Sequence, residues 1–207
     1  MSTDKEIKAN LRKFYDQDAK RRIEKPNTEE WKIAHRAAFL KRCKEASAGR
    51  ILEVGSGIGR DSLFLKQEGQ HAFPIDLSVE MVTHCRSKGL PACRMDSYHL
   101  AYKDNTFDAV WSLNTLLHVP KANIKGVWQE IRRVMKPGAI FFLGVYGGPD
   151  SEGVWEEDWD QPPRFFSFFT DDEILVRIQE VFHLLSFDPT DISRPKHHFQ
   201  ALTLQKI

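Results

Sequence analysis

The sequence predicts an α/β protein built on an open, mostly parallel sheet with helices on both faces. Three observations carry this. Apolar runs short enough to be buried strands alternate with helical patterns from residue 50 to residue 185, and such alternation builds parallel sheets. The last two strand candidates have no helix between them, so they are expected to pair antiparallel at one edge. The chain has 207 residues, 41% hydrophobic and 29% charged, which fits one domain with a sizeable core.

The elements follow in order. The first 47 residues read as helices. Thr28 is placed to cap a helix whose first turn holds Glu29 and Glu30, where carboxylates suit the positive end of the helix dipole. That helix runs through Trp31, Ala34, Ala38 and Phe39 to about Glu45. Arg50 to Val54 is an apolar run that stops at Gly55, as a buried strand does. A helix follows from about Arg60 to Glu68, with Gly69 placed to end it. His71 to Ile75 is the second strand, and Pro74 is a blemish in it because proline donates no ladder bond. Ser78 is placed to cap a helix that runs to about Lys88 and is closed by Gly89. Pro91 to Met95 and Phe107 to Ser112 are the third and fourth strands.

A helix over 121–135 puts Ile124, Val127, Trp128, Ile131, Val134 and Met135 on one stripe and is stopped by Pro137 and Gly138. Ala139 to Tyr146 is the fifth strand. Thr170 and Glu173 form a capping box for a helix with Ile174, Leu175, Ile178, Val181, Phe182 and Leu185 inward. Two strands near Leu184–Phe187 and Phe199–Gln205 complete the sheet.

The formal net charge of +1 gives no global pull toward nucleic acid or an anionic membrane surface. The distribution is uneven: residues 1–50 carry 14 Lys/Arg against 8 Asp/Glu, and residues 150–191 carry 12 Asp/Glu against 2 Lys/Arg. Solvated faces are the plain reading. A border for a cationic or polar substrate is the sharper alternative for the acidic segment. Three cysteines without CxxC spacing imply neither a disulfide framework nor a zinc site. Eight histidines without HxxxH or HExxH spacing imply no metal. The charged N-terminus has no signal-peptide core, and no apolar run reaches the roughly 20 residues that cross a bilayer. The expectation is a cytoplasmic protein, monomer or homodimer, with a small-molecule partner and neither nucleic acid nor membrane.

The most informative stretch is Glu53-Val-Gly-Ser-Gly-Ile-Gly59, where a buried strand ends and a helix begins. Glycines there permit a tight turn and let backbone approach a ligand. The helix start offers unpaired N–H groups. Ligands of such sheets bind beyond the carboxyl ends of the strands. Asp76 follows the second strand, Asp96 the third and Asn114 the fourth. A carboxylate at the end of the second strand is placed to accept from ribose hydroxyls.

In these residues the chain resembles the class I S-adenosylmethionine-dependent methyltransferases, from about residue 10 to the end and most strongly over 50–145. The motifs are ILEVGSGIGRD, IDLS, Asp96, FDAVWSLNTLLHV and WQEIRRVMKPGAIFFL. The resemblance implies a Rossmann-like, doubly wound, seven-stranded sheet of order 3-2-1-4-5-7-6 with strand 7 antiparallel. It implies a single domain: a helical cap over 1–47, a cofactor core over 48–146, a substrate-side lid over 147–170, and a C-terminal helix and strand pair over 171–207. It implies S-adenosylmethionine as cofactor, S-adenosylhomocysteine as product, and a small molecule methylated on oxygen, nitrogen or carbon. By the same resemblance Gly55, Ser56, Gly57 and Gly59 form the loop under the cofactor, and Glu53 positions its amino-acid end. Asp76, with Leu77 beside it, binds the ribose. Asp96 accepts from the adenine amino group, and Ser97 contacts the ring. Asn114 offers backbone to the methionine moiety, and Tyr15 closes over from the N-terminal helix.

Methyl transfer from a sulfonium is an in-line displacement, so positioning dominates and a general base assists a hydroxyl or protonated amine. His118, just after the fourth strand, is the candidate base, with packing against the cofactor as the alternative. Residues 147–169 are long for a connector and rich in aromatics. Trp155, Trp159, Arg164, Phe165 and His198 are the candidate substrate residues. Arg164 either meets a substrate carboxylate or pairs with Asp160 or Glu157. Other readings remain. A nicotinamide dehydrogenase is the weaker, because its GxGxxG fingerprint needs glycine where this chain has Arg60. A nucleic-acid methyltransferase is disfavoured by Ser112-Leu113-Asn114-Thr115 after strand four. A non-catalytic binding module keeps the fold without turnover.

Overall fold

The structure is a computed structural model that describes residues 3–25, 29–155, 158 and 160–207, without the side chain of Arg194. Thr28, Glu157 and Trp159 lie outside the described residues, so the expected Thr28 cap, the Glu157 pairing and the Trp159 contact have no structural counterpart here.

Two helices precede the sheet, α1 (Asp4–Glu24) and α2 (Glu30–Glu45). A capping box starts α1, with Thr3 accepting from the Glu6 amide and the Glu6 side chain accepting from the Thr3 amide. Then come β1 (Arg50–Val54), α3 (Arg60–Gln67), β2 (His71–Asp76), α4 (Val79–Ser87), β3 (Cys93–Arg94) and β4 (Phe107–Leu113). A 3₁₀ turn (Leu116–His118) leads into α5 (Lys121–Val134) and β5 (Met135–Gly147). The remainder is β6 (Ser151–Val154), β7 (Phe165–Phe168), α6 (Asp171–Gln179), β8 (His183–Arg194) and β9 (His197–Gln205).

Seven strands form one sheet in the order β3-β2-β1-β4-β5-β9-β8. The first five run parallel, and β9 is antiparallel to both β5 and β8. This is the expected order with its reversed strand. The central strands are apolar on both faces, as a sheet covered twice requires. Leu52, Val54, Val110, Phe141 and Leu143 pack toward α5 and α6. Their alternates Ile51, Ala109, Trp111 and Phe142 pack toward α2 and α3, with Trp111 and Phe142 stacked at 4.2 Å. The α5 stripe is buried as expected at Ile124, Val127, Trp128, Ile131 and Val134. No described helix is long and apolar enough to cross a membrane.

The structure departs from expectation in four places. Pro74 costs no ladder bond. Ile75 faces β1, its carbonyl accepting from the Gly55 and Ser56 amides at 2.9 Å, so Pro74 faces the other side, where β3 reaches only Ile75 and Asp76. The third strand shrinks to Cys93 and Arg94. Pro137 and Gly138 do not separate α5 from a later strand. β5 starts at Met135 and holds them in an irregular stretch where the register with β4 shifts, and Gly138 has a φ of 77°. Finally, α6 ends at Gln179; Leu185 lies on β8 and is 38% exposed, not inward on a helix. Val181 and Phe182 extend the period-3.6 apolar pattern past the helix end because they are buried in the turn that follows. The segment after β5 also holds structure that its composition hid: β6 and β7 pair into a two-stranded sheet, Ser151 opposite Phe168 and Val154 opposite Phe165.

Candidate active site

At the carboxyl ends of the parallel strands lies a cavity of about 610 Å³. Its lining includes Tyr15, Glu53, Gly55, Ser56, Gly57, Asp76, Leu77, Asp96, Ser97, Asn114, His118, Trp155 and Arg164. Thus most of the sequence-derived candidates converge. Three do not line it. Gly59 is packed beneath the loop, where a Cβ would meet the Cys85 sulfur at 2.7 Å. Phe165 contributes its carbonyl, and the ring at the wall is that of Phe166, because side chains alternate along β7. His198 bonds Asp171 at 2.7 Å, which Gln200 also reaches, and so belongs to the α6–β9 junction.

The glycine turn is dictated by sterics. Gly55 has a φ of 76°, and a Cβ there would sit 1.9 Å from the Thr115 hydroxyl oxygen. Gly57 has a φ of 51° and no described residue within 4 Å of its Cβ position, so the turn presents bare backbone to the cavity. Its amide donates to the Asp76 carboxylate at 2.8 Å, and the Ser78 amide donates to the other oxygen at 2.9 Å. Ser78 also caps α4 through the Met81 amide, so one loop both ends β2 and aims Asp76. Burial raises the Asp76 carboxyl pKa against these hydrogen bonds.

Glu53 accepts from the Ser62 amide at 3.0 Å and from the Ser62 hydroxyl at the start of α3. Burial first, and then the charge of Asp61, push its pKa well above the usual carboxylate range. Asp61 is itself held by Arg36 at 2.9 Å and by the Trp111 indole at 3.1 Å. Asn114 adopts a φ of 53°, donates its amide to the Gly144 carbonyl at 2.7 Å, and has a buried side-chain oxygen with no partner among the described residues. The cavity floor therefore holds buried acceptors: the Glu53 and Asp76 carboxyls, each with its pKa raised by burial, and the orphaned Asn114 oxygen. A ligand carrying a cation and hydroxyl or ammonium donors satisfies all of these at once.

The roof comes from α1. Lys8 bridges Asp4 at 3.0 Å and Asp96 at 2.8 Å and lies over the Tyr98 ring, while Tyr98 donates to Asp4 at 2.7 Å. Arg60, the residue that breaks the dinucleotide fingerprint, donates to the carbonyls of Arg22 and Lys25 at the end of α1. The lid meets the same helix. Arg164 pairs with Asp158 and Asp160 and lies over the Phe14 and Phe166 rings, and Asp160 bonds Arg21. The Arg164 charge is thus met from within the acidic segment. Asp18, buried in the C-terminal half of α1, accepts from Arg21 and Arg22.

Between floor and lid stands His118. Its Nδ1 lies 2.7 Å from the Phe165 carbonyl and its Nε2 2.7 Å from the Tyr15 hydroxyl. Burial lowers its pKa to about 4. The aromatic wall around it is Tyr15, Phe166 and Trp155, with Tyr146 nearby.

Sequence reasoning missed Thr115, Lys8, Asp4, Asp18, Asp61, Arg60 as a tie to α1, Tyr146 and Phe166. Only Phe166 carried a signal, its alternation with Phe165 and Phe168 in an aromatic run. The others act through tertiary neighbours that local pattern does not reveal.

Residues 52–143 match the family model described as Methyltransferase domain. A sterol 24-C-methyltransferase of Gibberella zeae is 33% identical over 106 residues, covering 47% of this chain and 27% of that protein. A 2-methyl-6-phytyl-1,4-hydroquinone methyltransferase of Synechocystis is 30% identical over 118 residues, covering 54% of this chain and 36% of that protein. The chain therefore spans about a third or less of the length of these curated relatives. Among solved structures, the 1,6-didemethyltoxoflavin-N1-methyltransferase of Burkholderia thailandensis, with bound 1,6-didemethyltoxoflavin and S-adenosylhomocysteine, has the same fold. Its TM-score is 0.78 at 17% identity, covering 100% of this chain and 91% of that one. Over residues 52–143 the chain thus matches the Methyltransferase domain family, and it shares the fold of an S-adenosylhomocysteine-bound methyltransferase.

Proposed function

We propose that this protein binds S-adenosylmethionine at the cavity floor and transfers its methyl group to a small molecule held under the lid. One observation carries the reading. The buried Glu53 and Asp76 carboxyls and the orphaned Asn114 oxygen line the same cavity as the bare backbone of Gly57, so the floor calls for a donor-rich ligand pressed against backbone. When bound, S-adenosylmethionine supplies a methyl group already activated by its sulfonium charge.

The chain's own residues then divide the work. Asp76 accepts from ribose hydroxyls, with Leu77 beside it. Glu53 and Asn114 hold the amino-acid end over Gly55, Ser56 and Gly57. Asp96 and Ser97 meet the adenine, and Tyr15 closes the roof. Trp155, Arg164 and Phe166 border the acceptor half, a wall suited to a ring-bearing acceptor. The printed substrates of the relatives are in keeping with this: a sterol, a phytyl hydroquinone and 1,6-didemethyltoxoflavin. His118 is neutral near pH 7, and its Nε2 lone pair receives the acceptor's proton by way of the Tyr15 hydroxyl. Its low basicity suits an acceptor whose hydrogen becomes acidic as the methyl arrives. We read the chain as one domain with a cap over 1–47, a core over 48–146, a lid over 147–170 and a closing helix and strand pair over 171–207.

Calorimetry tests the cofactor. S-adenosylmethionine and S-adenosylhomocysteine are expected to bind and nicotinamide dinucleotides are not, and Asp76→Ala is expected to weaken binding at least about tenfold through loss of charged hydrogen bonds. Binding of a dinucleotide alone overturns the reading.

A further inference from the structure

We infer that Tyr15 offers the methyl acceptor an oxygen that can only accept a hydrogen bond, so the site selects molecules carrying N–H or O–H on the atom to be methylated rather than a bare carbon. This rests on the methyl-transfer reading above and narrows its acceptor class.

The polarity of the site is set by a carbonyl. The Phe165 carbonyl has no hydrogen to give and lies 2.7 Å from His118 Nδ1, so Nδ1 carries the imidazole hydrogen. His118 is buried at 7% exposure and uncharged near neutral pH, which leaves Nε2 with a lone pair alone. The Tyr15 hydroxyl lies 2.7 Å from that lone pair. It has one hydrogen, and this contact uses it. What remains on the Tyr15 oxygen is accepting capacity.

The neighbours keep that sense. The Arg164 guanidinium acts on the Tyr15 hydroxyl as a positive charge, and Arg22 lies 5.0 Å from the centre of its ring. Neither can accept. Asp76 acts on Tyr15 only as a more distant charge. Tyr15 and His118 both line the cavity, with Trp155 and Phe166 alongside.

An acceptor that donates its N–H or O–H to Tyr15 has its heteroatom anchored at the wall between floor and lid, which restricts its orientation for an in-line approach. A singly protonated acceptor loses that hydrogen on methylation. The product can no longer make the bond, so the same contact that selects substrate favours product release. His118 acts through Tyr15 and is a positioning residue in this respect.

The test uses the full chain with and without S-adenosylhomocysteine. Nitrogen-15 NMR of the histidines is expected to show His118 protonated on Nδ1 and bare on Nε2 at pH 7. Paired probes, phenol against anisole and indole against N-methylindole, are then titrated into the S-adenosylhomocysteine complex. The N–H and O–H members are expected to bind about three- to tenfold tighter, the worth of one hydrogen bond. Tyr15→Phe is expected to abolish that preference. His118→Phe, which releases the Tyr15 hydrogen toward the cavity, is expected to shift it toward anisole. An Nε2-protonated or cationic His118, a wild-type ratio at or below one, or a preference that survives Tyr15→Phe overturns the inference. Failure of S-adenosylhomocysteine to bind by calorimetry instead sinks the underlying reading, while the histidine spectrum still reports the polarity of the site without it.

Discussion

At Gly55 a side chain has no room: its Cβ position is 1.9 Å from the Thr115 hydroxyl, and its φ of 76° is strained for any L residue. Gly57, two positions on, has a similar backbone but open space. Gly55→Ala is therefore expected to cost about 2–4 kcal/mol of stability, from overpacking added to left-handed strain. Gly57→Ala is expected to cost about 1 kcal/mol. Gly57→Arg, by contrast, fills the cofactor side of the cavity and is expected to weaken S-adenosylmethionine binding by more than about tenfold through steric exclusion. Thermal unfolding and calorimetry separate the two effects; equal destabilisation by the two alanines would contradict the steric account.

His118 makes a second prediction at this scale. Its folded pKa is about 4 against an ordinary 6.5. A depressed folded value means that its contribution is complete above pH 6.5 and is lost as pH falls toward 4, by up to about 3 kcal/mol. Glu53, raised by burial and Asp61, runs the other way: its contribution is present below its ordinary value of 4.5 and is lost as pH rises. Comparing wild type with His118→Gln isolates the imidazole. In urea unfolding the wild type is expected to lose stability faster than the variant between pH 6.5 and 4, and parallel profiles would exclude a buried neutral imidazole.

Among the elements, α1 adds polar ties to its buried Ile7, Leu11, Phe14 and Ala19. It holds the core through Lys8 on Asp96 at 2.8 Å, through Asp16 accepting from the Ser78 hydroxyl at 2.6 Å, and through its terminal carbonyls on Arg60. Arg21 adds a contact to Asp160 in the lid. Exposed ion pairs contribute at most about 1 kcal/mol each and are screened by salt. Lys8→Ala is thus expected to change global stability by less than about 1 kcal/mol and yet to speed S-adenosylhomocysteine dissociation several-fold, since it loosens the roof over the adenine end. Added salt is expected to speed dissociation from the wild type more than from the variant, as stopped-flow release would register. A rate insensitive to both changes would mean that α1 is not the roof. The aromatic lid is of another kind. Phe166 and Phe168 stack at 5.6 Å on one face of β7 with Trp155 edge-on to both, so apolar packing holds it.

At the scale of the whole molecule, five parallel strands deliver their carboxyl ends to one edge, and α1 and the lid segment meet over that edge. A ligand there touches α1, the ends of β1, β2, β4 and β5, and Trp155, Arg164 and Phe166 of the lid, and stabilises the fold by mass action. S-adenosylhomocysteine at a hundredfold excess over its Kd contributes about 2.7 kcal/mol. For a chain of this size that raises the Tm by roughly 5–10 °C. A melting curve unmoved by saturating S-adenosylhomocysteine would mean that the cavity is not its site.

The apolar runs and glycine turns determined strand existence and the cofactor edge, because strand burial and tight turns are written in adjacent residues, while the sheet order followed from the family resemblance. For the same reason Gly55, Gly57, Asp76, Asp96 and Asn114 were legible: each ends a strand, and the strand ends share one edge. Only the tertiary structure decided what surrounds them. Thr115 filling the space beside Gly55, Lys8 reaching Asp96, and Arg36 with the Trp111 indole holding Asp61 are contacts between residues far apart in the chain. The lid was visible as an aromatic run, but which rings face the cavity depended on the β6–β7 pairing, which placed Phe166 rather than Phe165 at the wall. His118 was legible as a candidate by position, while its tautomer and its hold on Tyr15 came from the Phe165 carbonyl 47 positions away. Local sequence sets what a segment can become; the hydrogen-bond polarity of a site is settled only when distant donors and acceptors are brought within 3 Å of one another.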